Sequence, residues 1–224
     1  MVDCTKQHES RLTMPFEWLI NAFATLFVIV DPIGLAPIFL VVTAGMSRED
    51  RAAVAWRAAL VATGILVTFA LVGNALLAAL GITLSAFRIA GGLLLFYTAF
   101  EMIFEKRHER KKKTAKHTTT KSDIQNIAVF PLAIPLMAGP GAISATVLLA
   151  SERSTLPDTA LLVALLCVIT GMAYVVFRLA DKIDPLLGDS GRTLLGRLLG
   201  VLLAALSVQF VVDGIAAIVA DIPA

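Results

Sequence analysis

The stretch Asp31-Pro32-Ile33-Gly34-Leu35-Ala36-Pro37 constrains this chain more than any other. It lies inside an apolar run from Phe16 to Thr43. That run is long enough to cross a bilayer, which takes about 20 apolar residues. Asp31 falls 15 residues after Phe16, about 22 Å along a helix at 1.5 Å per residue. A carboxylate at such a depth costs at least about 2.5–3.5 kcal/mol. Pro32 and Pro37 each remove a backbone donor and crowd the preceding turn, and Gly34 loosens the backbone between them. Lipid cannot satisfy the carbonyls freed by such a break, so the segment is expected to line a protein-enclosed cavity.

A second stretch answers the first. Pro131-Leu-Ala-Ile-Pro135-Leu-Met-Ala-Gly139-Pro140-Gly141 sits within the apolar run Ile127–Ala150. Interrupted hydrophobic segments at corresponding places in two halves of a chain point to a transporter's binding site.

The remainder is organised around these two runs. The 224 residues are 58% hydrophobic, against about 45–50% for soluble domains, which indicates an integral membrane protein. Six apolar spans can be read, at about 16–43, 53–80, 82–104, 127–150, 159–179 and 198–219. None alternates with the period of a membrane barrel strand, so all six are expected to be helices. Residues 1–15 are polar, too hydrophilic for a signal peptide, and are expected to be a disordered tail. Cys4 and Cys167 lie in different settings and suggest no disulfide framework.

Basic residues set the orientation. The 105–126 segment holds Lys106, Arg107, Arg110, Lys111, Lys112, Lys113, Lys116 and Lys121. Arg48 and Arg51 lie between spans 1 and 2, and Lys182 and Arg192 between spans 5 and 6. The 2–3 connection has no basic residue and the 4–5 connection only Arg153. The positive-inside rule makes the basic loops cytoplasmic and both termini extracytoplasmic.

The chain also repeats itself. Arg88-Ile-Ala-Gly-Gly-Leu-Leu-Leu in span 3 matches Arg197-Leu-Leu-Gly-Val-Leu-Leu-Ala in span 6 at an offset of 109, and Asp31-Pro32 matches Gly139-Pro140 at 108. A duplicated unit of three helices has an odd number of spans, so its second copy must sit inverted, as in many secondary transporters. The units are 16–104 and 127–220, joined by the basic 105–126 loop.

Asp31, with Pro32, Gly34 and Pro37, is the first half of the candidate site. Its carboxylate suits a proton, a coupling cation or a substrate ammonium; it equally suits a local cap on the backbone freed by the break. Gly139, Pro140, Gly141 and Ser144 form the second half. A helix starting there presents N–H groups and a positive dipole end to a carboxylate, although small residues also serve close helix packing. Arg88 and Arg197 suit interface snorkelling. Glu101 is expected to face the basic loop, and Ser207 and Gln209 to hydrogen-bond across the bundle. Trp18 and Trp56 are placed as interface anchors.

Enzyme readings find little support. His8, His108 and His117 all lie outside the spans. One mid-span carboxylate cannot make an aspartyl protease dyad, no base partners a serine, and no Walker motif supports ATP coupling. No metal, prosthetic group or nucleic-acid partner is expected.

The motifs Asp31-Pro-Ile-Gly-Leu-Ala-Pro-Ile-Phe, Pro135-Leu-Met-Ala-Gly-Pro-Gly-Ala-Ile and Arg88-Ile-Ala-Gly-Gly together resemble the MarC family, over about residues 16–220. The resemblance implies a six-helix prokaryotic inner-membrane protein near the LysE-type exporters. It also implies kinship with small neutral amino-acid transporters, and a link to antibiotic resistance that weakly supports drug efflux. Carried over by motif, the two broken segments form the substrate site. The reading is an all-α integral membrane protein of six helices in two inverted three-helix repeats, with helices 1 and 4 broken at the midplane. It would carry a small solute, first of all a neutral amino acid, coupled to H⁺ or Na⁺, within the bilayer and as a monomer or homo-oligomer. A drug or metabolite exporter, or a non-transporting scaffold, are the other readings.

Overall fold

The computed structural model describes residues 3–104, 127–152 and 155–220. Among them there are helices and turns and no strand. The basic 105–126 segment lies outside the described residues.

Helix α1 (Asp3–Val30) ends where Asp31 adopts a left-handed conformation (φ 55°), and α2 (Pro32–Val42) follows at once. The polar residues from Asp3 onward continue the helix of the first span, which corrects the expectation of a disordered tail. Pro32 opens α2, where its missing N–H costs nothing and its fixed φ favours the helix. A turn through Gly45 (φ 81°) leads to Ser47, which accepts a hydrogen bond from Asp50 N (3.1 Å) and caps α3 (Arg48–Ala79). Glu49 and Asp50 in the first turn complement the helix dipole. Gly81 (φ 69°) closes the turn to Thr83, whose hydroxyl caps α4 (Leu84–Ile103).

The fourth span is irregular. Its first half, α5 (Ala128–Met137), is a wide helical coil in which Phe130 and Ile134 are extended, each followed by a cis proline. The second half, α6 (Pro140–Glu152), leaves it at a 57° bend. Helix α7 (Leu156–Arg178) is capped by Thr155, with Asp158 in the first turn. Helix α8 (Ala180–Ala220) turns at Gly188 (φ 58°), and its apolar part is Thr193–Ala220.

Among the described residues, five helices are long and apolar enough to cross a membrane, six if the bent α5–α6 pair is one span. Burial divides them. The most apolar window of Phe16–Val42 is 78% buried, whereas those of α3, α4, α7 and α8 are 22–39% buried. Ala142 and Ser144–Ala150 of α6 are buried as well. The two proline-interrupted segments thus occupy the centre. The other four helices face outward with side chains such as Leu71, Leu93, Phe96, Leu198 and Val212, an apolar surface too extensive for water.

Helix α4 packs along α8, and α3 along α7. Along α4 and α8, a Cβ on Gly92 would meet Ser207 O and Val211, one on Gly200 would meet Met102, Ile103 and Ala99 O, and one on Gly214 would meet Ile89 and Ser85 O. Early residues of one helix meet late residues of the other, so the pair is antiparallel. Its glycines permit the close backbone approach that drives helix association in lipid. Helices α3 and α7 are also antiparallel: the hydroxyls of Thr63 and Thr170 are 2.7 Å apart, and Trp56 meets Tyr174 edge-on with centroids 5.8 Å apart. A polar pair of this kind contributes about 0.6 kcal/mol within a bilayer.

Candidate functional site

Asp31 is buried (6% exposed) between α1 and α2. Its backbone N–H continues α1 by donating to Phe27 O (2.9 Å), and its carbonyl accepts from Leu35 N (3.2 Å). Its Oδ1 accepts from Gly34 N (3.0 Å). Asp31 therefore caps α2. The left-handed backbone is one that Asp tolerates because its short side chain can bond locally. Gly34 is required by that cap, since a Cβ there would collide with the Asp31 carboxylate. Pro32, Gly34 and Pro37 are all buried.

The second interruption is built differently. Gly139 lies over the preceding coil, where a Cβ would strike Pro135 O. Pro140 is exposed, Gly141 half-buried and Ser144 buried. In the first turn of α6, Pro140 has no N–H to give, and Ile143 N is taken by Gly139 O (3.0 Å). The N–H groups of Gly141 and Ala142 are the donors this helix start can offer.

Gly141 faces α1 just ahead of the first interruption. A Cβ built there lies 3.6 Å from Ile29 Cγ2, two residues before Asp31, and 3.5 Å from Leu95 Cδ2 and Thr98 Oγ1. One turn along α6, Ser144 lies under Gly91 of α4, its Cβ 3.5 Å from a Cβ built on that glycine. The sequence-derived positions therefore lie in α2 and its cap and around the start of α6, and α4 closes over the second group.

Some neighbours were not legible in the sequence. Besides Leu95 and Thr98 beside Gly141, the clearest is Glu152, which accepts from Trp18 Nε1 (3.1 Å) and has Arg88 and Asp213 within electrostatic range.

 That contact joins the start of the apolar span Phe16–Val42 to the end of α6 across 134 residues, a separation at which local pattern carries no signal. Glu101 is buried (3% exposed), where Gly200 of α8 packs on the neighbouring residues of α4; the 105–126 loop it is expected to face lies outside the described residues. Two other expectations are corrected. Ser207 donates to Ala204 O (2.7 Å) and Gln209 to Asp213 Oδ1 (2.7 Å), both within α8 and not across the bundle.

The sequence model of the "MarC family integral membrane protein" matches residues 16–219. A UPF0056 membrane protein of Methanocaldococcus jannaschii is 34% identical, over 90% of this chain and 98% of its own length. One from Archaeoglobus fulgidus is 37% identical over 87% and 91%. The UPF0056 membrane protein YvbG of Bacillus subtilis is 30% identical over 90% and 96%. No solved structure matches the chain. Full-length similarity of this kind, carried on a multi-pass helical fold, means that the chain belongs to the MarC family of integral membrane proteins.

Proposed function

We propose that this protein is a secondary transporter of small solutes, with neutral amino acids as the first candidates and H⁺ or Na⁺ as the coupling ion. One observation carries the reading: two proline- and glycine-interrupted segments lie in the interior of the bundle, with Gly141 of the second against Ile29, two residues before Asp31 of the first. A zwitterion needs an anion site and a cation site close together. The N–H groups at the start of α6 suit the carboxylate; Asp31 suits the ammonium or the coupling ion. The cap on Gly34 occupies Oδ1 and is compatible with this role, since a carboxylate accepts several hydrogen bonds.

The contacts between α4 and α8 support an inverted repeat, the architecture that goes with this reading. Gly92 meets residues 207 and 211, and Gly200 meets residues 99, 102 and 103. Subtracting the 109-residue offset makes these nearly the same contact seen from each side, as a two-fold relation requires. In antiparallel helices that axis lies across them, in the membrane plane for spanning segments. The bacterial and archaeal relatives suit a prokaryotic cytoplasmic membrane, and the basic connections suit extracytoplasmic termini.

A thermal-shift screen of the twenty amino acids on purified protein tests this. A ligand at about 100 times its Kd stabilises the folded state by about 2.7 kcal/mol, so one or more small neutral amino acids should raise the melting temperature. A flat response to all of them, with a shift from a hydrophobic drug, would transfer the proposal to the exporter reading.

A further inference from the structure

The end of the bundle that carries Arg48 and Arg51 holds a second site, distinct from the central interruptions. A cavity of about 230 Å³ is lined by Arg48, Arg51 and Ala52 of α3 and by Arg178, Asp181 and Lys182 around the α7–α8 junction. Its floor is the ring pair Phe39–Phe177, stacked at 4.6 Å and 6° and almost fully buried. Arg51 is fixed in place: it pairs with Asp181 (3.1 Å), and its guanidinium lies 5.7 Å over the Phe39 ring. Arg48, Arg178 and Lys182 line the same cavity and form no ion pair among the described residues. Four cations against one carboxylate leave a concave, strongly positive site.

Its depth is marked independently. Trp56 and Tyr174 form an edge-on pair on the outer surface, with Trp56 54% exposed. Trp and Tyr sit at headgroup level in membrane proteins. They lie four to five residues from Arg178 and Arg51, about 6–8 Å along the helix axes. The cavity therefore opens where lipid phosphates are found. Guanidinium forks match phosphate oxygens, and a lysine adds a mobile point charge. Basic pockets between membrane helices are known to take anionic headgroups.

We propose that this cavity binds a phosphate group, presented by the headgroup of an anionic lipid. Asp181 orients Arg51, the ring pair closes the inner side against the bundle, and Arg48, Arg178 and Lys182 receive the phosphate oxygens. Because α3, α7 and α8 all contribute, an occupied site ties the two halves of the chain together at this end.

The test uses the full chain in neutral detergent and native mass spectrometry, with phosphatidylglycerol and phosphatidylcholine as probes. Arg48→Gln with Lys182→Gln removes two exposed cations outside the Arg51–Asp181 pair and should leave the melting temperature of lipid-free protein unchanged. Lys112→Gln with Lys113→Gln is the charge-matched control. Phosphatidylglycerol should bind in preference to phosphatidylcholine, and the Arg48/Lys182 variant should bind it on the order of tenfold more weakly, the control variant as well as wild type. Resistance to excess inorganic phosphate identifies the lipid as the source; displacement by it identifies dissolved phosphate as the source and leaves the phosphate site standing. Equal binding of both lipids, unchanged binding by the Arg48/Lys182 variant, or an equal loss in the control would overturn the proposal.

Discussion

Gly34 N donates to Asp31 Oδ1 at 3.0 Å, and the space a β-carbon on residue 34 would need is filled by the Asp31 carboxylate. Each residue fixes the other. Gly34→Ala should lower stability by about 1–2 kcal/mol, the usual cost of losing a helix cap, despite the better helix propensity of Ala. Asp31→Gly accepts the left-handed backbone and removes the obstacle, so adding Gly34→Ala to it should cost nothing. Denaturation of the four proteins gives the coupling directly. Additive effects would mean that the collision is relieved elsewhere.

Gly141 should behave differently from Gly34. A β-carbon there meets Ile29, Leu95 and Thr98 at 3.5–3.6 Å, ordinary contact distances. Gly141→Ala should therefore leave stability unchanged or raise it by up to about 1 kcal/mol. Gly141→Leu fills the space beside the α6 start and should abolish solute binding more than it lowers stability. Melting and binding measured on the same samples separate this from simple wedging of the helices. Wild-type affinity in the folded fraction of a destabilised Leu variant would assign Gly141 to packing alone.

Much of the fold was legible because a bilayer demands long apolar runs. The helices α3, α4 and α7 contain or nearly coincide with the expected spans, and start earlier where a cap recruits polar residues, as Ser47 does for Arg48 and Thr155 for Asp158. The cap at Asp31 was legible as an Asp-Pro pair, but its left-handed backbone was not. The coil at Ala128–Met137 was not legible either: Pro131 and Pro135 announce missing donors, not the path the chain takes around them. Burial of Glu101 depends on where α8 lies, a long-range fact that an end-of-span position conceals.

Orientation follows from charge asymmetry and has its own check. A reporter fused after Ala224 should show alkaline phosphatase activity and no green fluorescence, placing the C-terminus outside. Fluorescence without phosphatase activity would reverse the orientation and put the Arg48–Lys182 cavity at the outer surface.

The most direct measurement is solute counterflow into proteoliposomes, with wild type and Asp31→Asn compared under imposed proton and sodium gradients. Asn keeps the capping oxygen and tolerates the left-handed backbone while removing the charge. Wild type should give saturable uptake of a small neutral amino acid driven by one of the two gradients, and Asp31→Asn, equally folded, should lose the gradient dependence. Uptake no greater than in protein-free liposomes for every neutral amino acid, or identical gradient-driven uptake by Asp31→Asn, would contradict a transport site built on Asp31 and Gly141.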